Sequence, residues 1–233
     1  MDNNFLINNV IAHRGIFDNK IVPENSLRAF EKAIRKKYII ELDVHLTKDK
    51  KIVVFHDDVL DRMTNKKGKI KTYTMEELSN TKLLNTGYTI PSLKEVLNLV
   101  NGKVPLLIEM KYDNKSFELP RLLIKELKDY NGLVAIQSFD PFLVSYFRFH
   151  KNNYLRGLLI DRKIASHILF LKFGILISKP SFLSVQKSLY NNKEINKYKN
   201  KKNIISWTMK SKEDIDKYKD KYDNLIVNIS NCV

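Results

Sequence analysis

Short apolar runs alternate along this chain with segments that have the periodicity of amphipathic helices. Runs of this length, bounded by polar residues, are typical of strands that are buried on both faces of a parallel sheet. The predicted strands are Asn9–Ala12, Tyr38–Leu42, Ile52–Phe55, Val104–Ile108, Val134–Ser138, Leu155–Ile160, Phe182–Val185, Ile204–Trp207 and Leu225–Val227.

Helical stretches lie between most of these strands, and several of them begin at a recognisable cap. Ser92 is followed three residues later by Glu95, which together form a capping box, and Asn25 or Ser26 can cap the first helix. The predicted helices are Ser26–Lys37, Ser92–Val100, Leu119–Tyr130, Asp140–Phe149, Asn192–Lys199 and Ser211–Tyr222.

One connection is too short for two parallel strands. Only residues 47–51 separate the run that ends at Leu46 from the run that starts at Ile52. Parallel neighbours need a crossover of about a dozen residues, so this pair is predicted to be an antiparallel hairpin. If the hairpin turns around residues 48–49, His56 lies across from Glu41.

Without Ile52–Phe55, the second strand of this hairpin, eight strands remain, and they alternate with helices. That pattern predicts an α/β fold consisting of a single (β/α)8 TIM-type barrel, with a β-hairpin after the second strand. Residues 57–88 contain no clear strand and are expected to form a small, mostly helical insertion. We expect the whole chain, residues 1–233, to form this one barrel domain.

The composition is that of a globular protein with a large positive charge. Hydrophobic residues make up 43% of the chain, and 41 Lys and Arg against 26 Asp and Glu give a net charge of +15. The basic residues are scattered, so we interpret them as a solvated surface, with weak attraction to a membrane surface as the second interpretation. No nucleic-acid-binding motif is recognisable. Cys232 is the only cysteine, which excludes an intramolecular disulfide.

Neither a targeting segment nor a membrane span is recognisable. The N-terminal segment MDNNFLINNV has no basic region followed by an apolar run. The longest apolar stretch, Ile164 to Ile177, is shorter than the ~20 residues that a membrane span requires. We therefore expect a cytoplasmic protein without a transmembrane segment. The oligomeric state is left open.

Ionisable residues stand where several predicted strands end. In a barrel of this type, the carboxyl ends of the strands form the active-site face. Carboxylates gathered there repel one another, and a divalent cation relieves the repulsion; oxygen ligands without thiolate favour Mg²⁺ or Ca²⁺ over zinc. The residues are His13 and Arg14, Glu41 and Asp43, His56 and Asp57, and Glu109 and Lys111.

Six short motifs, four of which contain these ionisable residues, follow one another along the chain. They are Ala12-His13-Arg14-Gly15, Pro23-Glu24-Asn25-Ser26, Glu41-Leu42-Asp43, Phe55-His56-Asp57, Leu60-Asp61-Arg62-Met63-Thr64-Asn65 and Ile108-Glu109-Met110-Lys111. Together they resemble the glycerophosphodiester phosphodiesterase family over nearly the whole chain. The last strand departs from the family, because Ile226-Val227-Asn228-Ile229 stands where relatives usually have Thr-Asp followed by Pro.

The resemblance implies an enzyme that converts small glycerophosphodiesters, such as glycerophosphocholine or glycerophosphoethanolamine, to sn-glycerol 3-phosphate and an alcohol. It implies a bound Ca²⁺ or Mg²⁺ ion. The nucleophile, either water or the glycerol hydroxyl of the substrate, is left open. The implied site residues are the metal ligands Glu41, Asp43 and Glu109, the acid/base pair His56 and His13, the phosphate ligands Arg14 and Lys111, and Glu24, which either supports them or complements a helix dipole.

Two further interpretations remain open. The apolar stretch from Ile164 to Ile177 favours lysophospholipase D or phospholipase C-like action on a lipid phosphodiester. The net charge of +15 favours a non-catalytic basic binding module, although the complete set of two histidines and three carboxylates argues against it.

Overall fold

A computed structural model of the protein describes residues 5–111, 116–151 and 153–232. Eight parallel strands close into a barrel, and a ninth strand, β3, pairs antiparallel with β2 at its edge, which confirms the predicted (β/α)8 barrel and its hairpin. The strands are β1 (Ile11–Ala12), β2 (Ile39–Leu46), β3 (Ile52–Val54), β4 (Leu106–Met110), β5 (Val134–Ser138), β6 (Leu155–Ile160), β7 (Phe182–Gln186), β8 (Asn203–Met209) and β9 (Asn224–Val227).

Helices cover the outside of the barrel, and each predicted helix is present. They are α1 (Leu27–Arg35), α2 (Met75–Ser79), α3 (Leu93–Val100), α4 (Glu118–Glu126), α5 (Pro141–His150), α6 (Arg162–Ser166), α7 (Ile168–Ser178), α8 (Lys193–Asn196) and α9 (Lys212–Tyr218). The capping box of Ser92 and Glu95 begins α3, and Ser26 caps α1. Among the described residues, no helix is long and apolar enough to cross a membrane.

The barrel closes where β1 pairs with both β2 and β9. Ile11 lies beside Ile39 on one side and beside Ile226 on the other. The backbone N–H of Asn228 donates to the carbonyl of Met209 at 2.9 Å, which ties the end of β9 to β8. The atypical last strand therefore completes the barrel. The assignment of residues 1–233 to one domain stays a prediction, since residues 1–4, 112–115, 152 and 233 lie outside the described residues.

The register of the hairpin differs by one residue from the predicted register. Val44 pairs with Val54, so continued counting places His56 opposite Leu42 and not opposite Glu41. The prediction assumed a two-residue turn. The chain instead uses a three-residue loop between Thr47 and Lys51, and its last residue, Lys50, has a left-handed φ of 61°.

The insertion at residues 57–88 is less helical than predicted. It contains one 3₁₀ turn, Ile70–Thr72, and the short helix α2, and the rest consists of turns, bends, irregular segments and isolated β-bridges. Apolar side chains of the insertion pack on β3 and its continuation, so the lobe is held by its own small core. The members of this core are Val53, Phe55, Leu60, Met63, Ile70, Leu78, Leu83 and Ile90.

The barrel interior is layered. Side chains alternate along a strand, so residues two positions apart point to the same side. An apolar layer fills the bottom of the barrel and consists of Leu6, Ile11, Ile39, Leu107, Ala135, Phe182, Ile205 and Ile226. Two residues further along the same strands stand His13, Glu41, Glu109, Gln137, Ser184, Trp207 and Asn228. Strand alternation thus puts a polar layer directly above an apolar floor.

Gly15 follows β1 in a conformation that only glycine adopts without strain. Its φ is 81°, and a Cβ atom there would lie 2.8 Å from the carbonyl carbon of Ala29 in α1. We expect Gly15→Ala to lower the free energy of unfolding by about 2 kcal/mol or more, from backbone strain and steric overlap. Urea denaturation measures this change.

Gly87→Ala is the matched control for this substitution. A Cβ atom at Gly87 would meet no atom within 4 Å, and the residue does not have a positive φ. Equal stability of Gly15→Ala and Gly87→Ala would contradict the close approach of Gly15, in the turn after β1, to Ala29 of α1.

Candidate active site at the carboxyl ends of the strands

A tight turn after β1 delivers His13 and Arg14 to the mouth of the barrel. The backbone N–H of His13 donates to the carbonyl of Val227 at 2.9 Å, which continues the pairing of β1 with β9. Arg14 then has a left-handed φ of 55°, a strained conformation that is often found at functional sites. Its backbone N–H donates to the carboxylate of Glu41 at 3.1 Å. The turn therefore supports β2 through the main chain.

Three carboxylates meet in the mouth. Glu41 and Asp43 point from β2, and Glu109 points from β4, where it is the register partner of Asp43. All three are buried, and one oxygen atom from each lies within 4.8 Å of the others. Such an oxygen-only set matches the preference of Ca²⁺ or Mg²⁺, so these residues fit a divalent metal.

The pKa values of the three carboxyls diverge in this cluster. Burial, followed by repulsion from Asp43 and Glu109, raises the pKa of Glu41 well above its ordinary value. Burial also raises the pKa of Glu109, although the charge of Lys111 opposes it. For Asp43, burial acts in the same direction, but the charges of Lys111 and Arg14 prevail and hold its pKa far below its ordinary value. Asp43 therefore retains its proton least readily of the three, although all three side chains lie side by side.

Within the described part of the chain, Lys111 and Arg14 are the lysine and arginine that contact this cluster. The Lys111 Nζ atom lies 2.8 Å from an oxygen of Asp43 and 2.5 Å from an oxygen of Glu109. Arg14 lies 3.4 Å from Asp43 through Nε and 2.7 Å from Glu24 through Nη1. Both side chains are largely buried, yet each remains partly exposed at the mouth.

The two histidines face this cluster from separate segments. Burial and the charge of Arg14 lower the pKa of His13 to about 3, so its imidazole is neutral near pH 7. His56 is partly exposed, and its Nδ1 atom lies 2.5 Å from a carboxylate oxygen of Asp57. Because Asp57 engages Nδ1, the Nε2 atom of His56 is the nitrogen available to a substrate.

A chain of ion pairs joins the two histidine segments behind the mouth. Arg62 donates to Asp57 at 2.7 Å and to Glu24 at 2.6 Å, and Glu24 accepts from Arg14 at 2.7 Å. Burial would raise the pKa of Glu24, but the hydrogen bond from Arg62 and the charge of Arg14 lower it instead. Hydrogen bonds from Arg62 and His56 likewise overcome burial and lower the pKa of Asp57 to about 2. All four side chains in this series of ion pairs are therefore charged.

Sequence reasoning missed Arg62 and underestimated Asp57. Asp57 contacts both His56 and Arg62, whereas Asp61 has a local role and accepts from the backbone N–H of Gly68. Arg62 contacts Glu24, which lies 38 residues away, and no local pattern signals such a pair. The only available signal was the place of Arg62 in the ordered motifs.

Two amides were also missed as site residues. Asn25 has a left-handed φ of 54° and donates to Asp43 at 2.8 Å. Gln137 on β5 is the register partner of Glu109, and its buried Oε1 atom has no hydrogen-bond partner among the described residues. Both amides extend the polar lining of the mouth.

The structure brings all eight predicted site residues to the mouth and separates the other histidines from it. His45 is buried under the His56 segment, where its Nε2 atom lies 3.1 Å from the His56 carbonyl oxygen. His150 and His167 are exposed at helix ends. The predicted residues that meet at the mouth are His13, Arg14, Glu24, Glu41, Asp43, His56, Glu109 and Lys111.

An apolar groove of 530 Å³ begins where β5 ends. Phe139, Phe142 and Phe170 line it together with Phe117. The ring of Phe139 also meets Trp207 of the polar layer edge to face, with ring centroids 5.6 Å apart. The groove is therefore continuous with the wall of the mouth.

Several known proteins resemble this chain in sequence. A glycerophosphodiester phosphodiesterase of Bacillus altitudinis is 39% identical over 155 residues, which cover 61% of this chain and 61% of the relative. One from Caldanaerobacter subterraneus subsp. tengcongensis is 42% identical over 57% of this chain and 58% of the relative. The matched region thus spans about three fifths of these two relatives.

Solved structures share the fold over almost the whole chain. The phosphodiesterase of Oleispira antarctica, in complex with the product sn-glycerol-3-phosphate, superimposes with a TM-score of 0.83 at 22% identity, over 94% of this chain and 92% of the other. A glycerophosphodiester phosphodiesterase from Thermotoga maritima gives 0.75 at 29% identity, over 94% and 93%.

A family model covers most of the chain, including the segment that contains the site. The model of the glycerophosphoryl diester phosphodiesterase family matches residues 13–224. This range runs from His13 to Asn224, the first residue of β9, and contains all three carboxylates and both histidines of the mouth. The chain therefore belongs to the glycerophosphoryl diester phosphodiesterase family.

Proposed function

We propose that this protein hydrolyses glycerophosphodiesters, such as glycerophosphocholine or glycerophosphoethanolamine, to sn-glycerol 3-phosphate and an alcohol. The convergence of three buried carboxylates with two histidines at the barrel mouth carries the proposal. Family membership and the product complex of the Oleispira antarctica phosphodiesterase support it. A barrel that served only as a basic binding module would have no need for this costly cluster of buried charge.

Glu41, Asp43 and Glu109 would hold one Ca²⁺ or Mg²⁺ ion. The ion would supply positive charge that stabilises the phosphate oxygens as negative charge develops on them. Asn25 and the backbone N–H of Arg14 fix the orientation of two of these carboxylates. The ligands are thus positioned by protein contacts before any metal binds.

Arg14 and Lys111 would contact the phosphate of the substrate. Both cations reach the mouth while they are tied to carboxylates, so their positions are fixed from behind. A phosphodiester carries one negative charge, and in-line attack spreads more charge over its oxygens. Two fixed cations beside that position stabilise the transition state more than the ground state.

His13 would accept the proton of the nucleophile, and His56 would donate a proton to the leaving alkoxide. A neutral imidazole can act as a base, and the low pKa of His13 keeps it neutral. Asp57 engages the Nδ1 atom of His56 and leaves its Nε2 atom available for proton transfer to the leaving group. Glu24 and Arg62 hold the two histidine segments at a fixed distance.

A lipid phosphodiester is the second candidate substrate, and the apolar groove is the observation that favours it. The groove adjoins the mouth, and its phenylalanines could contact an acyl chain. Lysophospholipase D or phospholipase C-like action would use the same catalytic residues. The two candidates therefore differ in substrate and share one mechanism.

The direct test is a hydrolysis assay on both substrate classes. We expect release of sn-glycerol 3-phosphate from glycerophosphocholine, complete inhibition by EDTA, and recovery with Ca²⁺ or Mg²⁺. Calorimetric titration of each metal, with Asp43→Asn as the comparison, reports metal binding independently of activity. Choline release from lysophosphatidylcholine alone would select the lipid candidate, and no metal-dependent hydrolysis of either substrate would contradict both.

Each histidine is expected to contribute through proton transfer. His13→Ala and His56→Ala should each lower kcat by roughly 100-fold or more, with a smaller change in KM, because general acid–base catalysis typically contributes that much. Steady-state kinetics on glycerophosphocholine measures the effect. His150→Ala, at an exposed helix end, is the control and should retain wild-type rates. Turnover like the wild type in either mouth variant would remove that histidine from the mechanism.

Arg62 is expected to act on catalysis by positioning His56 through Asp57. Arg62→Ala should lower kcat about 10-fold or more and leave KM less affected, since a group behind the catalytic residues sets their orientation. Arg62→Lys should recover little of this loss, because a lysine cannot make the two-atom contact with Asp57 together with the contact to Glu24.

Arg28→Ala serves as the control for Arg62. It removes another arginine–carboxylate pair, the exposed contact of Arg28 with Glu31 on α1, and should leave kcat unchanged. Circular dichroism checks that both variants are folded. An unchanged kcat in Arg62→Ala would exclude a positioning role.

A further inference from the structure

An exposed apolar face lies beside the mouth, on α7 and the adjoining end of α5. Leu169, Phe173 and Leu176 are spaced by four and three residues, so they share one side of α7, and they are 85%, 46% and 68% exposed. Phe173 contacts Phe142 of α5, with ring centroids 6.0 Å apart. Large side chains concentrated in this way mark an interaction surface.

The opposite side of α7 explains why this helix is folded while its outer side is apolar. Leu171, Gly174 and Ile175 are buried against the barrel, where Gly174 approaches Pro141 and Leu158. The side chain of Arg148 donates to the carbonyl of Ile177 at 2.8 Å and fixes the end of the helix to α5. The helix is therefore anchored by one side, and its apolar outer side is not needed for folding.

Basic residues outnumber acidic ones around this face. Residues 140–194 contain nine lysines and arginines and three acidic residues, Asp140, Asp161 and Glu194, and the carboxylates of Asp140 and Asp161 cap α5 and α6. Lys163, Lys172 and Lys179 are exposed next to or within α7. An apolar strip surrounded by basic residues is complementary to an anionic lipid surface, where the apolar side chains enter the headgroup region and the cations contact phosphates.

The apolar face on α7 adjoins the groove that leads to the mouth. Phe170 of α7 lines the apolar groove with Phe142 and Phe139, and Phe139 follows β5 at the catalytic end of the barrel. A surface in contact with α7 would therefore lie alongside the opening through which a substrate enters.

We propose that the face formed by Leu169, Phe173, Leu176 and the neighbouring lysines binds reversibly to anionic membrane surfaces. Binding of this kind adds to the proposed hydrolysis and does not depend on it. The helix would lie in the plane of the interface, because α7 has 11 residues and is too short to cross a bilayer.

Sedimentation with lipid vesicles tests the proposal on the full chain. We expect the protein to bind vesicles of mixed phosphatidylcholine and phosphatidylglycerol, to bind phosphatidylcholine vesicles much more weakly, and to dissociate as salt rises. Leu169→Ser/Leu176→Ser should lower the partition coefficient roughly 10-fold, because both side chains are exposed and supply apolar insertion. Lys163→Glu/Lys172→Glu should lower it for anionic vesicles only.

Leu133→Ser is the matched control, since Leu133 is 45% exposed just before β5, at the opposite end of the barrel. It should bind vesicles like the wild type. Circular dichroism and hydrolysis of soluble glycerophosphocholine check the fold, so loss of vesicle binding is distinguishable from a failure of the proposed reaction. Equal binding by Leu169→Ser/Leu176→Ser and the wild type would overturn the proposal.

Sedimentation equilibrium without lipid tests whether the apolar face binds a second copy of the chain instead of a membrane. We expect the wild type and Leu169→Ser/Leu176→Ser to have the same molecular mass in solution. A wild-type oligomer that this double substitution dissociates would show that the face joins two copies, and it would overturn the membrane assignment.

Discussion

Repulsion among the buried carboxylates of Glu41, Asp43 and Glu109 is the constraint on which the site depends. Three acids within 4.8 Å of one another favour protonation or separation unless positive charge is held beside them. Lys111 and Arg14 supply part of that charge, and both are themselves fixed by carboxylates. The cluster is stable only as a set, because the loss of one buried cation would leave its partners uncompensated.

The barrel was predictable because its signal is local and repeated. Each strand is a short apolar run, and the eight runs occur at spacings that fit βα units. A lipid-facing helix was one interpretation of the apolar stretch from Ile164 to Ile177, but its division into α6 and α7 was not predicted, since a stretch that is apolar on nearly all sides lacks helical periodicity. The hairpin register was wrong by one residue because the loop length depends on Lys50 adopting a left-handed conformation, which the sequence pattern does not signal.

The residues of the candidate site were also predictable only in part. Residues at strand ends could be predicted, since alternation along β2 and β4 fixes where Glu41 and Glu109 point. The roles of Arg62 and Asn25 could not be predicted, because their contacts, with Glu24 and with Asp43 of β2, join segments that become neighbours only in the folded chain. Main-chain conformations of this kind, such as the left-handed Asn25, are visible only in the folded protein.

The separate core of the insertion has a consequence for thermal behaviour. Phe55, Leu60 and Ile70 belong to a cluster that is distinct from the main core, so this lobe can open as a unit while the barrel stays folded. Arg62 belongs to the lobe, and His56 stands at its base. Heating would then inactivate the protein below the melting temperature of the barrel, so residual helicity would overstate the fraction of competent molecules.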